Sequence, residues 1–273
     1  MNIVASNNSW GGGGYSQALF DAINQQRDIL FVAAAGNESA NNDAIPSYPA
    51  DMDLPIVISV GATTQTDSLA TFSNYGCRNV DVSAPGANIM STIPGGGYGY
   101  KSGTSMAATH VTGLVALLKA RNPALDWRGI RNLVLSTGDQ AAALAAKTLT
   151  GRRINAFAAT TCIDSREFAA LKVPVTTRPE VAATLAALSI NCGAPVGPVT
   201  VALSGGEVID LRDDGFAPDL EAGDGIFSAT FVPVRNRETF SFSSPAGIES
   251  VTPAAAAPVG PVAGPIGFPF GSS

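Results

Sequence analysis

Apolar residues in the first 120 positions come in nearly unbroken runs of strand length. One run covers residues 29–35, a second covers 55–62 around Ile56, Val57 and Ile58, and a shorter one at 80–86 centres on Val80 and Val82. Runs without alternation suit parallel strands buried on both faces. Residues 2–6 form a further β-prone segment, which passes through Asn7, Asn8, Ser9 and Trp10 into four glycines, Gly11 to Gly14. Between the runs the spacing becomes helical. Leu19 and Ile23 mark a helix over 16–27 with Ser16 as its cap, and Val111, Val115 and Leu118 mark another over 105–120 that Asn122 and Pro123 end. A further helix is expected near 126–136, and Gly151 to Ala156 lead into a last short one. Strand, loop and helix in succession build an α/β fold with a parallel sheet.

After Cys162 the pattern changes. Short β-prone stretches at 173–175, 199–203, 226–231 and 239–242 are separated by turn residues, which predicts a small all-β sandwich over 162–250. Residues 251–273 are rich in Ala, Pro and Gly and are expected to be a disordered tail. Residues 69–78 read as a loop in which Asn74 and Gly76 suit turns.

Composition narrows the class. With 45% hydrophobic and 14% charged residues the chain is a folding one, and a net charge of −6 with no basic cluster argues against nucleic acid as a partner. No apolar run approaches the eighteen or so residues of a membrane helix, and the N-terminus lacks the basic and apolar regions of a signal peptide. The three cysteines, Cys77, Cys162 and Cys192, have no metal-ligand spacing. An odd number fits either an unpaired or reactive thiol in a secreted protein or three buried reduced cysteines. Cys162 and Cys192 can bridge the junction between the two parts, or one of them can pair outside this chain. The four glycines are not a phosphate cradle, because no Gly-Lys-Ser/Thr follows.

Candidate chemistry centres on residues 103–113, where Gly103, Thr104 and Ser105 lead into small apolar residues. This places Ser105 at a helix N-terminus, where free N–H groups and the dipole favour negative charge. A nucleophile whose attack creates an oxyanion uses that environment. Taken alone, the stretch is better described as a helix cap, since Ser and Thr are preferred caps. Asn37 follows the strand at 29–35, at the end of the sheet where α/β folds bind ligands.

Four segments coincide in order over residues 3–159: Asn8-Ser9-Trp10-Gly11, Ala34-Ala35-Gly36-Asn37, Ser83-Ala84-Pro85-Gly86 and Gly103-Thr104-Ser105-Met106-Ala107. Together they resemble the second half of the catalytic domain of subtilisin-like serine peptidases (peptidase family S8), and residues 151–156 are similar to the motif that closes that domain. The resemblance implies an α/β fold with a parallel-sheet, three-layer, subtilisin-like arrangement over 1–161, followed by the small all-β sandwich. It makes Ser105 the nucleophile and Asn37 the oxyanion-hole amide, with the Ser105 N–H as second donor. Ser9, Trp10, Gly11, Ala34, Ala35, Gly36 and Thr104 match the edges of the substrate cleft. The implied activity is endopeptidase cleavage of a polypeptide through a Ser105 acyl-enzyme, with no cofactor required for the chemistry, in a secreted, extracellular protein.

One departure is decisive. A triad needs a general base and a carboxylate to orient it. The single histidine, His110, lies five residues after Ser105, whereas only i+3 and i+4 share a helix face. The family's Asp-bearing strand and His-Gly-Thr-His helix have no match here. The expectation is therefore an N-terminally truncated chain, inactive by itself, whose partner is its own missing N-terminal half and whose exposed strand edge promotes aggregation. Thr109 in place of the family's proline is harmless. A non-catalytic peptide-binding remnant and an extracellular anchoring role for the C-terminal module are the competing readings.

The second part carries an acidic loop with Asp210, Asp213, Asp214, Asp219, Glu221 and Asp224. Calcium prefers such oxygen clusters, which makes Asp210, Asp214, Asp219 and Asp224 weak candidates for a structural site. An EF-hand alignment from Asp210 matches Asp214, Gly215 and Glu221 but fails at Arg212. The preferred reading is an acidic β-turn with no metal assigned. A similar Asp-Gly-rich loop occurs in β-sandwich modules of secreted enzymes.

Overall fold

The structure is a computed structural model; it describes residues 3–174, 180–234 and 238–252. The chain begins with strand β1 (Ala5–Asn8), helix α1 (Gln17–Asn24), β2 (Leu30–Ala34), β3 (Val57–Thr63) and β4 (Val82–Pro85). A hairpin, β5 (Ile89–Ile93) and β6 (Gly97–Lys101), precedes the long helix α2 (Thr104–Arg121). Then come α3 (Trp127–Ser136), β7 (Asp139–Gln140), β8 (Arg152–Arg153) and α4 (Ala156–Thr161). One six-stranded sheet has the order β1-β2-β3-β4-β8-β7, with β1 to β4 and β8 parallel and β7 antiparallel.

The unbroken apolar runs become the sheet's inner strands. Every residue of β3 is buried, as parallel strands covered on both faces must be. Helix α2 lies against β1 to β4 and buries Ala107, Ala108, Val111, Leu114, Val115 and Leu118. Capping follows the side chains expected: Ser16, Asp126 and Asn155 each accept a backbone N–H from their helix's first turn.

Beyond α4 the strands are antiparallel. β9 (Arg166–Lys172), β10 (Ala183–Asn191), β11 (Ala194–Pro195) and β14 (Ile226–Phe231) form one four-stranded sheet. β12 (Val199–Leu203), β13 (Val208–Leu211), β15 (Phe240–Ser244) and β16 (Gly247–Val251) form another. Leu185 and Ala187 of β10 join a core with Val201, Phe231, Phe240 and Phe242, while Leu188 and Ile190 pack into the core of the first part. Helix α3, against which β9 and β10 pack, is consequently buried from Trp127 to Ser136 except at Arg128.

Three expectations need correction. The strand placed at 173–175 lies earlier, over Arg166–Lys172, and Val175 falls outside the described residues. Val251 ends β16 and does not open a tail; residues 253–273 lie outside the described residues. The cysteines are not three buried thiols: Cys162 and Cys192 form a disulfide joining the end of α4 to the end of β10, and Cys77 is free and exposed. Among the described residues no helix is long and apolar enough to cross a membrane.

Candidate active site

Ser105 occupies the first turn of α2, half-buried. At a helix start the leading N–H groups lack intrahelical acceptors. The Thr104 N–H goes to Asn37 Oδ1 at 2.8 Å, and the Thr104 hydroxyl donates to the same oxygen at 3.1 Å. Two donors on its oxygen fix the Asn37 amide, so its NH2 group remains to donate elsewhere. Asn37 itself is exposed. The Ser105 N–H has no backbone acceptor among the described residues. The Ser105 N–H stands at the positive end of the α2 dipole, and Thr104 ties the Asn37 amide to the same helix start.

The loop carrying Asn37 is held from below. Buried Asn74 accepts the N–H groups of Glu38 and Ala40 at 2.9 and 3.0 Å and donates to the Ala35 carbonyl at 3.1 Å. Asn42 donates to the same carbonyl at 3.0 Å and also to Asp51. Gly36 sits at φ +116°, where a Cβ would lie 2.3 Å from Asn74 Nδ2 and 2.6 Å from Glu38 Oε2, so only glycine fits. Burial raises the Asp51 carboxyl to about 7, although the Ser47 N–H and the Asn42 amide work against that shift.

The other motifs meet here as well. Gly103 donates to the Gly86 carbonyl at 2.8 Å, and a Cβ on Gly86 would lie 2.5 Å from Ala62 Cβ and 2.9 Å from Gly103 O. The Ser83-Ala84-Pro85-Gly86 segment therefore lets the turn before Ser105 dock against the sheet. Ser9, just past β1, donates to the Ser105 carbonyl at 2.9 Å, and Ser105 Oγ lies 3.5 Å from the Ser9 carbonyl. Trp10 is exposed, with its indole N–H on Asn8, and Gly11 passes close under Tyr48. Ala34 and Ala35 are buried beneath this segment, while the Thr104 hydroxyl accepts the Gly36 N–H at 3.2 Å. His110 is exposed and its Nδ1 lies 2.9 Å from the Met106 carbonyl of its own helix, away from Ser105 Oγ.

Known proteins resemble the chain over its first part. The subtilase family model (Peptidase_S8) matches residues 1–154. The chain belongs to the subtilase family. Alkaline elastase YaB from Bacillus sp. (strain YaB) is 41% identical over 48% of this chain and 34% of its own length. Subtilisin BL from Lederbergia lenta is 40% identical over 57% of this chain and 55% of its own length. The crystal structure of a cold-adapted subtilisin-like serine proteinase is 37% identical, covering 54% of each chain with a TM-score of 0.47. The chain thus spans about half or less of the length of these curated relatives.

The structure also adds residues that the motifs did not flag. Asn74 reads in sequence only as a turn former, yet it anchors the Asn37 loop across 36 positions of chain, so no local pattern could reveal it. In the acidic loop, Asp219 and Asp224 do meet, but their companion is Asp213. Asp210 instead pairs in β13 with Thr200, and Asp214 turns to the Phe216 N–H. Glu221 leaves the cluster to pair with Arg27 and Arg128.

Proposed function

We propose that this subtilase chain carries the nucleophile and oxyanion hole of a serine endopeptidase that cleaves polypeptides. Ser105 attacks the scissile carbonyl, and the oxygen that becomes negative is received by the Asn37 NH2 and the Ser105 N–H. The double hold of Thr104 on Asn37 Oδ1 is the observation that carries this reading, because it aims the amide before substrate arrives. Ser9, Trp10, Gly11 and Gly36 border the cleft that takes the peptide, and the buried Ala34 and Ala35, expected at its edge, lie beneath it.

Attack also needs a group to remove the Ser105 proton. The single histidine is committed to its own helix, so in this proposal the base and its carboxylate come from polypeptide outside these 273 residues, and the chain alone turns nothing over. Residues 1–161 are the subtilase part, and residues 162–250 are an accessory β-sandwich, a reading supported by the apolar side chains shared between the two antiparallel sheets. The Cys162–Cys192 disulfide supports an extracellular setting, where such bonds persist.

The test is peptide hydrolysis by a longer polypeptide in which a segment bearing an Asp and a His-Gly-Thr-His stretch precedes residue 3. Hydrolysis that disappears with Ser105→Ala is the expected result. Turnover that survives this substitution would refute the assignment.

A further inference from the structure

The loop between β13 and β14 brings three carboxylates together far from Ser105 in sequence. One oxygen each of Asp213, Asp219 and Asp224 lies within 4.8 Å of the others. Two oxygens bound to one calcium ion stand at most about 5 Å apart, since each bond is about 2.3–2.6 Å long. The three are held in place by backbone donors. Asp213 accepts the N–H groups of Asp224 and Gly225 at 3.2 and 3.0 Å and that of Gly223 as well. Asp219 accepts the Gly215 N–H at 2.6 Å, and Asp224 Oδ1 accepts the Ile226 N–H at 2.7 Å.

A crowd of acids in a turn would mean little if water covered it. Here Asp224 is 0% and Asp219 5% exposed, and Asp224 Oδ2 has no hydrogen-bond partner among the described residues. A buried carboxylate oxygen without a donor is costly, and two neighbouring carboxylates increase the cost. Among the described residues none of the three forms an ion pair within 4 Å; the buried Arg131, which lines the same cavity, favours the charged form of Asp224 and leaves Asp213 and Asp219 without a cation. Asp219 and Asp224 line a cavity of about 330 Å³ between the sheets and the subtilase part, which gives a hydrated ion a route in and room to keep water ligands.

We propose that Asp213, Asp219 and Asp224 bind one calcium ion, with Asp224 Oδ2 as a buried ligand. The ion fixes the loop that carries Glu221. Glu221 bridges Arg27, after α1, and Arg128 of α3, so the site clamps the C-terminal sheets to the subtilase part.

The test is calorimetric titration of CaCl2 into the full 273-residue chain after EDTA treatment, with hydrogen–deuterium exchange read by mass spectrometry. One ion should bind with a Kd of about 10⁻⁶–10⁻³ M, the span of EF-hand sensors and extracellular modules. Binding should slow exchange at residues 213–225. Asp213→Asn and Asp224→Asn should each weaken the Kd about tenfold or more. No binding at 10 mM calcium, protection confined to other segments, or an unchanged Kd in the variants would overturn the proposal. If Asp224→Asn does not fold, Asp213→Asn and the exchange pattern of the unsubstituted chain decide.

Discussion

Two loops in this chain are tied down in the same way by groups of different charge. Around Ser105 the anchor is Asn74, a neutral amide that takes the Glu38 and Ala40 N–H groups and gives one hydrogen bond back. In the loop between β13 and β14 the anchor is Asp213, a carboxylate that takes the N–H groups of Gly223, Asp224 and Gly225. The neutral anchor is self-sufficient and adds no negative charge where an oxyanion must form. The charged anchor, joined by Asp219 and Asp224, accumulates negative charge that backbone donors alone do not balance. In the two proposals made above, one loop receives negative charge from a substrate and the other a cation.

The largest effect that tests this contrast is on chemistry. In a polypeptide long enough to hydrolyse peptides, Asn37→Ala should lower kcat by about 10²–10³, or about 3–4 kcal/mol, with KM nearly unchanged. An equal loss in KM would instead make Asn37 a ground-state contact. Next is the fold of the same loop. Gly36→Ala places a Cβ against Asn74 at a positive φ, and urea unfolding should show a loss of about 3 kcal/mol. Asn74→Ala leaves the Glu38 and Ala40 N–H groups without their acceptor and should cost about 2 kcal/mol in the same measurement. A change under a few tenths of a kcal/mol in either variant would mean that the loop is held by something other than Asn74.

The smallest effect concerns acid. Burial raises the Asp51 and Glu167 carboxyls each to about 7, well above the ordinary carboxylate range, so the folded chain holds these protons more tightly than the unfolded chain. That contribution to stability is complete below about pH 4 and is lost as pH rises through about 7. The melting temperature should therefore fall from pH 5 to pH 8, less steeply in Asp51→Asn. An unchanged slope would exclude Asp51 as a source.

The two halves of the molecule were not equally legible in sequence. The parallel sheet announces itself because unbroken apolar runs such as that of β3 have a single structural use, and Ser16, Asp126 and Asn155 mark their helices by local capping chemistry. Strand β10 is hidden. Its Ala- and Leu-rich run suits a helix as well as a strand, and its burial on both faces, between Phe242 on one side and α3 on the other, is a property of the assembled sheets. The hairpin β5–β6 has no counterpart among the expected elements, because its glycines and exposed tyrosines give no apolar pattern.

The site shows the same division. Ser105 and Asn37 sit in compact motifs and are found from sequence, and the same motifs bring Thr104, Gly86 and Ser9 with them. The partnership of Asp213 with Asp219 and Asp224 depends on which turn residues face inward. Of the four weak candidates, Asp219 and Asp224 therefore meet, whereas Asp210 and Asp214 lie outside the group and Asp213 joins it.

The most direct measurement is fluorophosphonate labelling of Ser105, read by mass spectrometry of the peptide that contains it. It compares the 273-residue chain alone with the longer polypeptide that supplies an Asp and a His. Labelling of the longer polypeptide at Ser105, with little or none in the chain alone, is the predicted result. Equal labelling of the chain alone would show that Ser105 is activated from within these residues, and no labelling in either would show that it is not a nucleophile.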